Sequence, residues 1–152
     1  MRMRDIMSAP VRTIEPDTPA DEAWQRMRLY RIRHLVVEED GRLVGVLSDR
    51  DLGGEQGDML RAGRQVADCM SAHVTTVTPD TTVREAANLL RGHGISCLPV
   101  VHRDRVVGIA TVSDLLELIG RGVERPFPQS RRWVMPDRGP RRKPVPAPGS
   151  RA

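Results

Sequence analysis

The segment Gly45-Val-Leu-Ser48-Asp-Arg50-Asp51 recurs 63 residues later as Gly108-Ile-Ala-Thr111-Val-Ser113-Asp114. The repeat is ungapped and extends in both directions from these segments. Residues 5–52 match residues 68–115 at 20 of 48 aligned positions, which is far more than chance gives for an ungapped pairing. The chain therefore contains one structural unit twice, and any fold must account for the duplication.

Each copy predicts the same order of elements, β-α-β-β-α. A short apolar strand, at residues 11–14 or 74–77, leads to a Pro-Asp-Thr triplet in which Thr18 or Thr81 is placed to cap the following helix. Pro19, as the first helical residue, supports that start. Apolar residues spaced i, i+3, i+4 and i+7 give each helix one buried stripe. The stripe residues are Ala20, Ala23, Trp24 and Met27 in the first copy and Val83, Ala86, Ala87 and Leu90 in the second.

The second half of each copy predicts a β-hairpin followed by a closing helix. The closing helix begins at Ser48 or Thr111. Neither copy has enough apolar surface to close a core alone. We therefore expect an α/β (α+β) fold in which two pseudo-symmetric units, residues 1–60 and 61–120, pack against each other. The hairpin strands cover residues 34–37 and 43–47 in the first copy and 97–101 and 106–110 in the second.

The copies open with Asp5-Ile-Met-Ser8 and Asp68-Cys-Met-Ser71 and close with the pattern Gly-x-x-[Ser/Thr]-x-x-Asp. Over about residues 3–120 the chain thereby resembles a pair of cystathionine β-synthase (CBS) domains. The resemblance implies a disc-shaped module with two clefts for adenosine-containing ligands such as AMP, ADP, ATP or S-adenosylmethionine. It also implies a non-enzymatic, regulatory role in energy sensing that is exerted on a separate target protein. Related modules form homodimers, and we expect three residues near that surface: Trp24, Leu116 and Ile119.

The closing motif suits nucleoside binding, and it also suits helix capping. Asp51 and Asp114 can each accept two hydrogen bonds from the cis-diol of a ribose, and Ser48 and Thr111 can reach a ribose or phosphate oxygen. The motif glycine, such as Gly45, would let a ligand approach the strand backbone. The same Ser/Thr-x-x-acid spacing also lets hydroxyl and carboxylate bond to the free N–H groups of a helix start. The sequence leaves both interpretations open.

The resemblance assigns further ligand-binding positions. Arg50 precedes Asp51 and could bind a phosphate bidentately, whereas Ser113 stands at the equivalent position. We therefore expect the first cleft to be the better phosphate site. An adenine-holding wall is implied at Thr13, Leu35 and Val37 in the first copy and at Thr76, Leu98, Pro99 and Val100 in the second. Four more residues are either phosphate contacts or ordinary surface residues: Arg31, Arg33, His34 and His93.

Charge is unevenly distributed along the chain. Residues 120–152 hold nine basic and two acidic residues with seven of the 12 prolines, whereas residues 1–119 hold 15 basic and 18 acidic residues. We expect the tail (121–152), including Phe127 and Trp133, to be disordered, because its few apolar residues cannot offset its chain entropy. The alternative function is that of a nucleic-acid-associated protein using this Arg-rich tail. The acidic folded part argues against it.

The composition also bears on whether the chain could be disordered, span a membrane or depend on its cysteines. An apolar fraction of 39% is sufficient for a core, and no apolar run approaches the ~18 residues of a membrane span. Two cysteines cannot form a disulfide framework, and neither Cys69 with His73 nor Cys97 matches a metal-binding spacing. A metal-linked or redox role through the cysteines is a third interpretation. We expect a cytoplasmic protein with no signal peptide, membrane span, metal, cofactor or catalytic residue.

Overall fold

A β-hairpin in each copy forms the framework of the fold. The computed structural model describes residues 1–121, and the predicted tail, with Phe127 and Trp133, lies outside the described residues. Within residues 1–121 the strands are β1 (Thr13–Ile14), β2 (His34–Glu39), β3 (Arg42–Ser48), β4 (Cys97–His102) and β5 (Arg105–Thr111). The helices there are α1 (Met3–Ile6), α2 (Ala20–Tyr30), α3 (Asp58–Arg61), α4 (Val66–Cys69), α5 (Val83–His93) and α6 (Val112–Gly120), with a 3-10 turn at Gly54–Gln56.

The two hairpins are antiparallel and share one irregularity. β2 pairs with β3 from His34 opposite Ser48, and β4 pairs with β5 from Cys97 opposite Thr111. In both hairpins the register shifts after the fourth residue of the first strand. The predicted hairpins are therefore confirmed, and each strand is one or two residues longer than the sequence pattern indicates.

The leading strand differs between the copies because of one proline. In the first copy β1 runs parallel to β2, and the Val36 N–H donates to the Arg12 carbonyl over 3.3 Å. Pro99 occupies the position equivalent to Val36 and has no N–H to donate. The second copy accordingly has only an isolated bridge at Val77, in place of the predicted strand at 74–77.

The helices α2 and α5 have the predicted stripes, but their caps lie one residue later than predicted. The stripe residues are buried or half-buried except Ala87, which is exposed. Thr82, not Thr81, caps α5, since its hydroxyl accepts the Glu85 N–H over 3.2 Å. In the first copy Pro19 stands at the N-cap of α2, where no side chain of the described residues provides a capping bond.

Only the second copy forms the predicted closing helix. α6 begins after Thr111, whose hydroxyl accepts the Asp114 N–H over 3.2 Å. The prediction of a helix starting at Ser48 is wrong, because turns follow that residue. Gly53 and Gly54 adopt left-handed backbone conformations, with φ of 82° and 65°, that are incompatible with a continuing helix.

A buried arginine holds this glycine-rich segment in place. The Arg61 guanidinium donates to the carbonyls of Leu52 (2.8 Å) and Gly54 (2.7 Å). It also donates to the Asp58 carboxylate over 2.6 Å and lies 4.5 Å from the ring centre of Trp24. These contacts satisfy a charged side chain that is only 2% exposed. Trp24, expected near a dimer surface, is thus half-buried against an arginine of its own chain.

Each copy contributes its first helix to the core of the other. Met3 of α1 is buried among side chains of the second copy, and its N–H donates to the Thr81 carbonyl over 2.9 Å. Val66 of α4 is buried among side chains of the first copy, and its N–H donates to the Thr18 carbonyl over 2.8 Å. Both apolar cores are therefore built from both copies, and neither repeat is a complete structural unit.

The glycine of each closing motif provides room for this exchange. A Cβ atom at Gly45 would lie 2.5 Å from the Met70 Sδ atom and 3.0 Å from the Ser71 carbonyl oxygen. At Gly108 the equivalent Cβ position is 2.8 Å from the Met7 Cγ atom. Each glycine therefore packs against a methionine of the other copy. The sequence had suggested that the glycine leaves space for a ligand.

We predict that Gly45→Ala destabilises the fold by about 1–3 kcal/mol, the usual penalty for an extra methyl group in a packed interior. Gly92 in α5 is the matched control, because nothing lies within 4 Å of its Cβ position. Gly92→Ala should stabilise the helix by about 0.5–1 kcal/mol, since alanine is the better helix former. Denaturant unfolding measures both changes, and a Gly45→Ala protein as stable as the wild type would contradict the packing role.

Candidate ligand-binding clefts

The first cleft joins the closing motif of the first copy to the second copy. Ser48, Arg50 and Asp51 line it together with residues 94–97, which connect α5 to β4. The volume of the cleft is about 340 Å³. Ser71 also lines it, because its backbone exchanges two hydrogen bonds of 2.9 and 3.0 Å with the middle of β3.

The second cleft has the same construction with the copies exchanged. Thr111, Ser113 and Asp114 line it together with residues 31–34, which connect α2 to β2. Its volume is about 310 Å³. Ser8 lines it in the same manner, through backbone hydrogen bonds of 2.9 and 3.1 Å to β5. Each cleft therefore requires residues from both copies.

The backbone holds the motif carboxylate in both clefts. The Asp51 Oδ2 atom accepts the Ser48 N–H over 2.8 Å, and the Asp51 N–H donates to the Ser48 hydroxyl over 3.1 Å. Asp114 and Thr111 repeat this arrangement at 2.8 and 3.2 Å. The capping interpretation is confirmed in the second copy, whereas in the first copy the same bonds close a turn. Within residues 1–121 neither Oδ1 atom accepts a hydrogen bond, so capping leaves an acceptor available to a ligand.

His34 lies between the clefts and lines both of them. Its Nε2 atom is 2.8 Å from the hydroxyl of Ser96, a residue of the other copy. Burial lowers the pKa of the His34 imidazole, and the nearby carboxylates of Asp49 and Asp51 oppose this effect without cancelling it. The imidazole is therefore mainly neutral at pH 7, with one donor and one acceptor at the centre of the site.

The arginines are distributed differently from the expectation that favoured the first cleft. Arg50 lines the first cleft, but Arg31 and Arg33 both line the second. All three residues are exposed. The expectation compared Arg50 with Ser113 inside each copy, and it did not include the arginines that one copy contributes to the cleft of the other. His93, another candidate, lines neither cleft.

All seven residues of the expected adenine wall lie outside both clefts. Thr13 and Leu35 border a separate groove of about 490 Å³ beside α2, where the Arg12 guanidinium lies 3.6 Å from the ring centre of Tyr30. Thr76 borders an open depression of about 770 Å³ beside α5. The other four residues are buried in the interior: Val37, Leu98, Pro99 and Val100.

Sequence reasoning identified Arg31, Arg33 and His34 as candidates without assigning them to a cleft. It missed Ser8, Ser71 and the junction at 94–97, which also complete the clefts from the opposite copy. Ser8 and Ser71 carried a usable signal, since both belong to the Asp-x-Met-Ser opening that the copies share. The junctions at 31–34 and 94–97 carried almost none, because only their isoleucines match between the copies. Their placement follows from the packing of the two copies, which is a long-range property.

The cysteines show no sign of a reactive thiol. Burial raises the pKa of the Cys97 thiol to about 11, and it also raises the pKa of the Cys69 thiol. Both side chains are therefore protonated at pH 7, which leaves the redox interpretation without support. Among residues 1–121, no three His, Cys, Asp or Glu side chains gather as metal ligands. No helix in the same range has the length and apolar character needed to cross a membrane.

Known proteins share this architecture. The sequence profile of the CBS domain matches residues 3–53 and 66–121. A CBS domain-containing protein of Bacillus subtilis is 31% identical over 114 residues, covering 74% of this chain and 81% of that protein. The CBS domain pair of protein MJ0100, solved with 5′-methylthioadenosine and S-adenosyl-L-methionine, has a TM-score of 0.73 at 28% identity, covering 80% and 97% of the two chains. CBSX2 in complex with AMP has a TM-score of 0.70 at 25% identity, covering 81% and 99%.

Two α/β units pack together and share two equivalent clefts. Because the family profile matches both halves, the chain belongs to the CBS domain family and contains a tandem CBS pair. The resemblance drawn from the opening and closing motifs is thereby confirmed, as is the mixed α/β fold of two packed units.

We predict that His34 makes the free energy of unfolding depend on pH. The folded state binds a proton at His34 less readily than the unfolded state, so stability should fall as the pH drops below the ordinary histidine value of 6.5. His34→Gln retains a hydrogen-bonding group and should weaken this dependence, whereas the exposed His102→Gln should not. Denaturant unfolding at about pH 7 and pH 5.5 measures the difference, and an equal loss in His34→Gln would refute the prediction.

Proposed function

We propose that the chain is a regulatory, non-enzymatic module that binds adenosine-containing ligands and acts on a separate target protein. The ligand class comprises AMP, ADP, ATP and S-adenosylmethionine. The observation that carries the proposal is the pair of equivalent clefts, each with a motif carboxylate whose Oδ1 atom accepts no hydrogen bond within residues 1–121. The MJ0100 and CBSX2 complexes, solved with such ligands, support it.

The proposed roles follow from the cleft geometry. Asp51 and Asp114 accept hydrogen bonds from the ribose hydroxyls, and the exposed arginines at the clefts bind phosphate. The backbone N–H groups of Ser48 and Thr111 donate to the carboxylates and hold them in position. The buried strand residues of the expected adenine wall form the core that supports the clefts.

Regulation then follows from the shared construction of the clefts. A ligand in either cleft contacts both copies, so it favours the arrangement in which the two copies are fully packed together. A target protein that binds both copies would respond to this change in population. The same linkage stabilises the fold by roughly 2.7 kcal/mol when the ligand concentration is about 100 times the dissociation constant.

We predict that two variants of Asp51 separate nucleotide binding from the hydrogen bonds that close the turn at Ser48. Asp51→Asn keeps an oxygen for the Ser48 N–H but loses the charge, so AMP and ATP binding at the first cleft should weaken about tenfold with little loss of stability. Asp51→Ala removes both functions and should weaken binding about 10- to 100-fold while lowering the melting temperature. Isothermal titration calorimetry and thermal unfolding measure these effects.

The matched control for these variants is Asp40→Asn. Asp40 is exposed in the first hairpin turn with φ of 50°, a conformation that asparagine adopts readily, and it borders neither cleft. Nucleotide affinity should be unchanged in this variant. If AMP, ATP and S-adenosylmethionine give flat titrations with the wild-type protein, the proposed function fails. Binding of a short DNA duplex in place of these ligands would favour the nucleic-acid alternative.

We also propose that the chain assembles as a homodimer through α6, whose Leu116 and Ile119 are 63% and 74% exposed. Twofold assembly is the commonest way to cover such a surface. Light scattering at micromolar concentration should give twice the chain mass of 17.0 kDa. The double variant Leu116→Glu, Ile119→Glu should be monomeric, and Met59→Glu, at a 91% exposed position on α3, serves as the control. A wild-type mass of 17.0 kDa would exclude the dimer.

A further inference from the structure

The two clefts have the same framework but carry different charges. Arg31 and Arg33 line the second cleft, and their equivalents in the first cleft are the uncharged residues Gly94 and Ser96. The second cleft therefore has two arginines near one motif carboxylate. The first cleft has one arginine, Arg50, near one motif carboxylate. The cleft volumes, about 310 and 340 Å³, are too similar to distinguish ligands by size.

The backbone at Arg31 shows that arginine is not the residue expected there. Arg31 ends α2 in the left-handed conformation, with φ of 54° and ψ of 44°. Gly94 ends α5 in the same way, with φ of 61° and ψ of 33°. Glycine is strongly favoured at this position, because a side chain is strained in the left-handed region. The first copy thus keeps a charged side chain at a position where the second copy has the residue that the local fold favours.

Both arginines are available to a ligand. Neither guanidinium forms an ion pair with a carboxylate of residues 1–121. Both residues are exposed, whereas the motif carboxylate of Asp114 is half-buried. A ligand whose ribose binds Asp114 can therefore extend its phosphate chain toward the arginines without being limited by the cleft volume. The planar fork of an arginine matches phosphate oxygens bidentately.

We propose that the second cleft selects adenosine ligands with two or more phosphate groups, that Arg31 and Arg33 determine this selectivity, and that the first cleft accepts ligands with one phosphate or none. The inference rests on the proposed function and extends it, because it assigns different ligand classes to the two clefts. The chain then senses the ratio of highly phosphorylated to weakly phosphorylated ligands, since each class occupies its own site.

The test replaces the two arginines of the second cleft with their equivalents in the first cleft, Gly94 and Ser96. In the double variant Arg31→Gly, Arg33→Ser, the affinity of the second cleft for ATP should fall about 10- to 100-fold, because charge-assisted hydrogen bonds to two phosphates are lost. AMP affinity should fall less than ATP affinity, since AMP has only one phosphate group to lose contacts and its ribose keeps the contact with Asp114. Calorimetry in an Asp51→Asn background, which weakens the first cleft about tenfold, separates the two clefts in a two-site fit.

Two further variants separate selectivity from structure and from net charge. The double variant Arg42→Ser, Arg105→Ser removes the same charge from exposed hairpin residues that border neither cleft, and it should leave both affinities unchanged. Arg31→Gly alone should raise the thermal midpoint while it lowers ATP affinity. Conversely, Gly94→Arg should lower the midpoint and raise the ATP affinity of the first cleft.

The outcomes distinguish this inference from the proposed function. If the wild-type protein binds neither AMP nor ATP, the proposed function itself fails. If it binds both and Arg31→Gly, Arg33→Ser keeps the wild-type preference between them, only the selectivity inference is overturned. The same conclusion follows if the hairpin control loses as much ATP affinity as the cleft variant, because net charge then accounts for the effect.

Discussion

The exchange of first helices between the two copies is the constraint on which the rest of the structure depends. Met3 fills the core of the second copy and Val66 fills the core of the first, so neither hairpin has a complete apolar layer without the opposite copy. The exchange also brings Ser8 and Ser71 alongside the opposite hairpins, where their backbones become part of the cleft walls. The fold and its two clefts thus arise from the same packing of the two copies.

The local elements were predictable because they depend on neighbouring residues. Apolar strands around a turn predict the hairpins, and a 3.6-residue period predicts α2 and α5. The predictions were wrong where a proline or a left-handed glycine in one copy prevents the element that the other copy forms. Pro99 removes the donor that a leading strand needs, and left-handed Gly53 and Gly54 prevent the closing helix of the first copy. A repeat in sequence therefore indicates the unit but not the differences between its copies.

The composition of the clefts was only half predictable. The motif residues Asp51 and Asp114 were identified from their spacing, since a hydroxyl three residues before a carboxylate is a local arrangement. The opposite walls come from the other copy, and no local pattern shows which junction will face which motif. Expected wall residues such as Leu98 and Val100 were apolar for a simpler reason, which is that they fill the core.

The pseudo-symmetry is broken where the copies meet, and His34 is the clearest case. The equivalent residue is Cys97, which lines only the first cleft, so a polar side chain and an apolar one occupy matching positions in the two copies. Duplication of a single ancestral unit would have produced two identical sites. Divergence at Arg31, Arg50 and His34 has made them chemically different without altering the framework that both share.

The exchanged first helix also determines the order in which the chain can fold during synthesis. Residues 1–9 are synthesised before the rest of the module, but Met3 bonds to Thr81 and Ser8 bonds to Ile109. The apolar face of α1 therefore remains unpaired until almost the whole module has been synthesised. Pairings this distant in sequence slow folding and prolong exposure of apolar surface, so the nascent chain passes through a stage that is vulnerable to aggregation. Because both cores are shared, neither copy can complete its core before the other has been synthesised, although the repeat suggests two independent units.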